Sequence, residues 1–138
     1  MQTDSPSSST STEDKKKKTL LILVLEDDPH LNRIIVHKLT GRGYNPILAT
    51  NAQEAIDILE RGEPVDILWL DIRLPGMSGL EFLKYVKEQE KFSHIKAFIV
   101  SASGSVEDQE KALRLGAAAY IVKGNHDLDE IIEQIIAE

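Results

Sequence analysis

The sequence predicts one α/β domain, a five-stranded parallel sheet with helices on both faces. Three observations carry this. Short apolar runs recur five times from residue 19 onward, each followed by a segment with helical spacing. The strands are spaced at roughly 20–30 residues, the interval of βαβ crossovers. And 138 residues suffice for one full core but not for two ordinary domains.

Taken in order, TLLILVL (19–25) suits a strand buried on both faces. Pro29 opens the first helix, with Leu31, Ile34, Ile35 and Leu39 at helical spacing and a stop at Gly41-Arg42-Gly43. NPILAT (45–50) reads as a weaker second strand. The second helix has Asn51 as N-cap, Ala52, Ala55, Ile56 and Leu59 on one face, and Gly62 as its stop. DILWL (66–70) is the third strand and 80–90 the third helix. KAFIVS (96–101) is the fourth strand. A Ser105–Asp108 capping-box pattern opens a helix that ends at Gly116. AYIVK (119–123) is the fifth strand, and the final helix spans 127–138, with a box from Asp127 to Glu130.

Composition narrows the function. A net charge of −7 argues against general nucleic-acid or anionic-membrane binding. The absence of cysteine excludes disulfides, thiolate zinc sites and Cys nucleophiles. The longest apolar run is far too short to span a bilayer, and a cytoplasmic protein is the expectation. Residues 1–18 contain almost nothing to bury and read as a disordered tail, its KKKK run being either a solvated linker or an interaction patch. Without that tail the body, 19–138, is near −8.

Parallel sheets of this class bind ligands beyond the carboxyl ends of their strands. Those ends here read Glu26-Asp27-Asp28, Asp71, Ser101 and Lys123. A lone acid after a strand is commonly a turn or cap residue. If the first and third strands are neighbours, however, at least three carboxylates share one crevice. Two carboxylates about 4 Å apart repel by roughly 4 kcal/mol at an effective dielectric near 20. An all-oxygen site with open positions suits Mg²⁺, and a lysine and a hydroxyl beside it suit the oxygens of a phosphoryl group.

LVLEDDP, LDIRLPGMSG, IVSA and AAAYIVK, in this order and at these intervals, resemble the receiver domain of two-component response regulators over residues 19–138. The resemblance implies a flavodoxin-like (βα)5 three-layer sandwich with strand order 2-1-3-4-5. It implies Asp71 as phosphoacceptor, with Ser101 and Lys123 engaging the phosphoryl group. Mg²⁺ or Mn²⁺ would be held by Asp27 and Asp71, by Glu26 through water, and by the Arg73 backbone carbonyl. Ser101 and Tyr120 would form the switch that alters the face of the fourth helix, fifth strand and fifth helix. Implied partners are a histidine kinase or phosphotransfer protein, a downstream effector, and a second copy through that same face. The protein would phosphorylate itself from a donor rather than turn over a substrate. Gly76 and Gly79 are expected to let the backbone turn tightly beside Asp71.

Two positions depart from the family pattern. Gly124 stands where proline usually follows the lysine, so a trans bond is expected there, since a cis bond before glycine costs about 2.5–4 kcal/mol. Glu26 replaces the commoner aspartate. Rival readings fare less well. A haloacid-dehalogenase-like phosphatase needs a second acid where Arg73 stands, and a flavodoxin-type FMN binder would meet three acids after its first strand. A receiver-like docking module that is never phosphorylated is the remaining alternative. His30, His37, His94 and His126 lack metal-ligand spacing and read as surface residues. Trp69 reads as core. Ile131, Ile132, Ile135 and Ile136 form a stripe that core burial explains in part, the rest being available to a partner. A stand-alone receiver, a relay and a piece of a longer regulator all fit the sequence.

Overall fold

The computed structural model describes residues 19–137; the polar tail of residues 1–18 and Glu138 lie outside the described residues. The order of elements is β1 (Leu21–Leu25), α1 (Pro29–Gly41), β2 (Asn45–Ala49), α2 (Ala52–Glu60), β3 (Ile67–Leu70), α3 (Gly79–Glu88), β4 (Lys96–Ser101), α4 (Val106–Arg114), β5 (Ala119–Val122) and α5 (Leu128–Ala137), with a 3₁₀ turn, Lys123–Asn125, after β5. The five strands form one parallel sheet in the order β2-β1-β3-β4-β5, the flavodoxin-like order.

Two cores sandwich this sheet, and strand alternation assigns residues between them. Leu23, Leu25, Leu68, Leu70 and Ile99 pack with α2, α3 and α4 on one face. Ile22, Val24, Trp69, Phe98 and Val100 pack with α1 and α5 on the other. Every residue of β1 and β3 is buried, as continuous apolar runs require in a doubly covered sheet. β2 is the half-exposed edge strand, where Pro46 deprives no interior ladder of a donor.

Caps start the helices where the sequence places them. Asp28 Oδ1 accepts from the backbone N–H of His30 and Leu31, ahead of Pro29. Asn51 caps α2, and full capping boxes open α3 (Ser78 with Glu81) and α5 (Asp127 with Glu130).

Several sequence expectations need correction. In α1, Ile34 is 38% exposed instead of buried, while Asn32, outside the apolar spacing, is 1% exposed. The Ser105–Asp108 box is only half formed: Ser105 Oγ accepts from Asp108 N, but the Asp108 carboxylate accepts from Ser103 Oγ instead of reaching back. β5 ends one residue early, so Lys123 opens the 3₁₀ turn. In the isoleucine stripe of α5, Ile131, Ile132 and Ile135 are buried and Ile136 is half-buried against the same core. His126 is half-buried; the other three histidines are exposed. Every peptide bond among the described residues is trans, the Lys123–Gly124 bond included.

Candidate functional site

Sheet register builds the site. Leu25 of β1 pairs with Leu70 of β3, so the chain delivers Glu26 and Asp71 side by side as both strands end. The Asp71 N–H still donates to Leu25 O (3.1 Å), and the Glu26 N–H donates to Ala49 O (3.1 Å), so both carboxylates stand on backbone locked into the sheet. Asn32 fastens the same corner from α1, its Nδ2 donating to Glu26 O (2.9 Å) and Ala49 O (3.3 Å).

Behind Asp71, the N-terminus of α3 comes so close that a Cβ on Gly79 would fall 1.8 Å from the Asp71 carbonyl oxygen. Only glycine permits that approach, which the Gly79 N–H bond to Ile72 O (2.9 Å) holds in place. Gly76 serves the same loop differently, by a φ of +78°.

Glu26, Asp27 and Asp71 each bring a carboxylate oxygen within 4.8 Å of the others. Each pair repels by about 3–4 kcal/mol at an effective dielectric near 20. Lys123 offsets part of this. Its Nζ donates to Glu26 Oε1 (2.9 Å) and makes a longer 3.5 Å bond to Asp71 Oδ2. Asp71 Oδ1 accepts from the Ile72 N–H (2.7 Å), and Glu26 Oε2 from the Asp28 N–H (3.2 Å).

The titrations reflect this crowding. Burial raises the Glu26 pKa, assisted by the Asp71 charge and only partly opposed by Lys123. Burial works against the Lys123 ammonium, but its hydrogen bond to Glu26 and the Asp71 and Glu26 charges outweigh that and raise its pKa. Three carboxylates against one ammonium leave two negative charges uncompensated. A hard divalent cation with oxygen ligands suits that donor set.

The other expected residues fall around this cluster. Ser101, 1% exposed, ends β4 beside Val122 of β5, and its Oγ accepts from the Ser103 N–H (3.1 Å). Tyr120 is half-buried, and its Oη donates to Ser103 O (2.7 Å). Ser103 therefore touches Ser101 through its N–H and Tyr120 through its carbonyl. Its own hydroxyl donates to Asp108 Oδ2 (2.9 Å). Arg73 is exposed on the loop after Asp71. Glu26, Asp27, Asp71 and Lys123 are thus brought into direct association, whereas Ser101 and Tyr120 are joined through Ser103. Sequence reasoning missed Asn32 and Asp108. An asparagine within an amphipathic helix reads as surface, and Asp108 reads as half of a capping box. The one available signal was that Asn32 stands one turn after Asp28, facing the strand ends.

Comparison with known proteins fits this geometry. Residues 22–136 match the model of the response regulator receiver domain. A chemotaxis protein CheY homolog of Campylobacter jejuni (strain 81-176) is 35% identical over 101 residues, covering 72% of this chain and 78% of that protein. A CheY-like receiver domain protein from Methanospirillum hungatei superposes with a TM-score of 0.79 at 28% identity, covering 87% of this chain and 93% of the other. The response regulator TrrA of Thermotoga maritima, solved in complex with Mg²⁺-BeF, gives 0.75 at 27% identity over 86% of this chain and 98% of that one. The chain belongs to the response regulator receiver domain family, CheY-like proteins of two-component signalling.

Proposed function

We propose that Asp71 accepts a phosphoryl group from a phosphohistidine on a kinase or phosphotransfer protein, or from a small acyl phosphate, and that this resets the α4–β5–α5 face for a partner. One observation carries the reading: Asp71 sits at a buried strand end with two further carboxylates within 4.8 Å and a lysine bridging to it. An Asp71 carboxylate oxygen bonds to phosphorus as the donor's P–N or P–O bond breaks. A departing imidazole recovers a proton from solvent, and a departing carboxylate leaves as the anion. The Lys123 ammonium and Ser101 hydroxyl donate to the transferred oxygens, so catalysis consists of positioning and charge neutralisation.

Asp27 and Asp71, with Glu26 through water and the Arg73 carbonyl, are the residues to hold Mg²⁺ or Mn²⁺. That ion supplies positive charge where the phosphoryl oxygens crowd the carboxylates. The structure of TrrA in complex with Mg²⁺-BeF supports divalent-cation binding at the acidic cluster of the present chain. The protein acts on itself, not as a turnover enzyme, and works in the cytoplasm; among the described residues no helix is long and apolar enough to cross a membrane. An effector, or a second copy, docks on the face of α4, β5 and α5, where Val106 and Leu113 are exposed.

Intact mass after incubation with a small acyl phosphate tests the reading. The expected result is one phosphoryl adduct that requires the divalent cation, is removed by hydroxylamine, and is absent from Asp71→Asn. A folded, metal-binding protein that takes no adduct from either an acyl phosphate or a phosphohistidine donor would instead identify an unphosphorylated docking module.

A further inference from the structure

Two of the three clustered carboxylates, Glu26 and Asp27, stand on the short link of residues 26–28 between the end of β1 at Leu25 and the start of α1 at Pro29. Glu26 is buried and well held. Its carboxylate accepts from Lys123 Nζ (2.9 Å) and from the Asp28 N–H (3.2 Å). Asp27 lacks such support: it is exposed, and its carboxylate has no hydrogen-bond or ion-pair partner among the described residues. Repulsion from Glu26 and Asp71 drives it outward, toward water. Its place beside them therefore depends on its backbone.

Asn32 holds that backbone on both sides. Its Nδ2 donates to the Glu26 carbonyl (2.9 Å), just before Asp27, and its N–H donates to the Asp28 carbonyl (2.9 Å), just after, as an ordinary bond of the helix. The other Nδ2 hydrogen goes to Ala49 O (3.3 Å), which also accepts from the Glu26 N–H (3.1 Å), so the link is tied to the end of β2 as well. Asn32 is 1% exposed, and its Oδ1 is buried without a partner. An unpaired buried acceptor is unfavourable, and a leucine of nearly the same size would fill the space without one. What the amide supplies is a pair of N–H donors at the strand ends.

We infer that Asn32 is a positioning residue for the divalent cation: its amide anchors the chain immediately before Asp27 and so keeps the Asp27 carboxylate beside Asp71. This role presupposes that the cation occupies the carboxylate cluster, as proposed above. Gathering three mutually repelling carboxylates at the moment of binding weakens affinity, and a site held in advance avoids that loss. Asn32 donates to no carboxylate itself and acts only through the main chain.

The test titrates Mg²⁺ into the full chain by calorimetry and compares Asn32→Leu with Ile35→Val. The second variant removes one buried methyl from the same helix and leaves every hydrogen bond of the link in place. Asn32→Leu should bind Mg²⁺ about tenfold more weakly while remaining folded, and Ile35→Val should bind it as the unaltered chain does. Should leucine prevent folding, Asn32→Ser, a shorter arm with one donor, carries the same expectation. A readout without metal accompanies this: in Asn32→Leu the amides of Glu26 and Asp28 should exchange faster, with Val24 and Trp69 in mid-sheet unchanged. Unaltered Mg²⁺ affinity in folded Asn32→Leu, an equal loss in Ile35→Val, or unchanged exchange at Glu26 and Asp28 would each overturn the role given to Asn32 and leave the function proposed for Asp71 standing. An unaltered chain that binds no Mg²⁺ would overturn the cation site itself, and this role with it.

Discussion

The ends of β1 and β3 are built differently from the segment between β4 and β5. At the first, Glu26 and Asp71 hang from backbone locked into a fully buried pair of strands. The adjoining α3 buries Gly79, Leu80, Phe82, Leu83 and Val86. In the second, α4 buries Ala112 alone and leaves Val106 66% and Leu113 53% exposed. Its first turn is tied down by hydrogen bonds through Ser103, Ser105 and Asp108. Burial of an apolar side chain contributes about 1.5–3 kcal/mol, against about 0.5–1.5 for a typical hydrogen bond. The strand-end carboxylates therefore rest on the better-buried scaffold, while the segment from 102 to 116, with fewer buried apolar side chains, is expected to be the less stable one.

Gly79→Ala is the harshest way to break this contrast. Its new Cβ meets backbone at Asp71, so overpacking should destabilise the fold by about 3 kcal/mol in denaturant unfolding and slow adduct formation at Asp71. Gly124→Ala, where a Cβ meets open space at ordinary φ, should stay within about 0.5 kcal/mol. Equal losses from the two would show that the close approach of α3 to Asp71 is not the constraint described.

Ser103→Ala sharpens the contrast from the other side. It removes a hydroxyl bonded to both Asp108 and the Ser105 N–H, and should lower stability by about 0.5–1.5 kcal/mol. Adduct formation should survive, while amide exchange at the start of α4 speeds up. A loss of adduct comparable to that of Asp71→Asn would place Ser103 in the acceptor half after all.

A milder effect is expected toward the C-terminal end of α3. Tyr85 donates to Glu60, which together with partial burial pushes the phenol up to about 12 from its ordinary 10. The protonated phenol is the form favoured in the fold. Its stabilising contribution is complete below pH 10 and is lost as pH rises toward 12. Tyr85→Phe should abolish this pH dependence and remove a phenolate absorbance that develops near pH 12. A titration that keeps its absorbance step near pH 12 in Tyr85→Phe would contradict the bond.

Much of this was legible in the sequence, for a definite reason. Strand ends are fixed by where apolar runs stop, so Glu26, Asp71 and Ser101 are placed by local pattern, and parallel topology brings their strands together. The helix caps at Asn51 and Asp127 are local too. Asn32 was hidden because its partners, the carbonyls of Glu26 and Ala49, exist as a pair only once β1 and β2 are adjacent. Ile34 and Asn32 both lie near the edge of the apolar stripe of α1, and periodicity does not say which will face the sheet. Asp108 satisfies two local patterns, and the choice between Ser105 and Ser103 is made by the loop's path.

The central claim is that the ends of β1 and β3 stay fixed while the segment between β4 and β5 yields. Amide hydrogen exchange before and after treatment with a small acyl phosphate and Mg²⁺, resolved by peptide, tests it most directly. The account predicts altered protection across residues 101–120, little change in β1, β3 and α3, and no change anywhere in Asp71→Asn. Protection that changes chiefly in α3, or that stays constant everywhere although the adduct has formed, would contradict it.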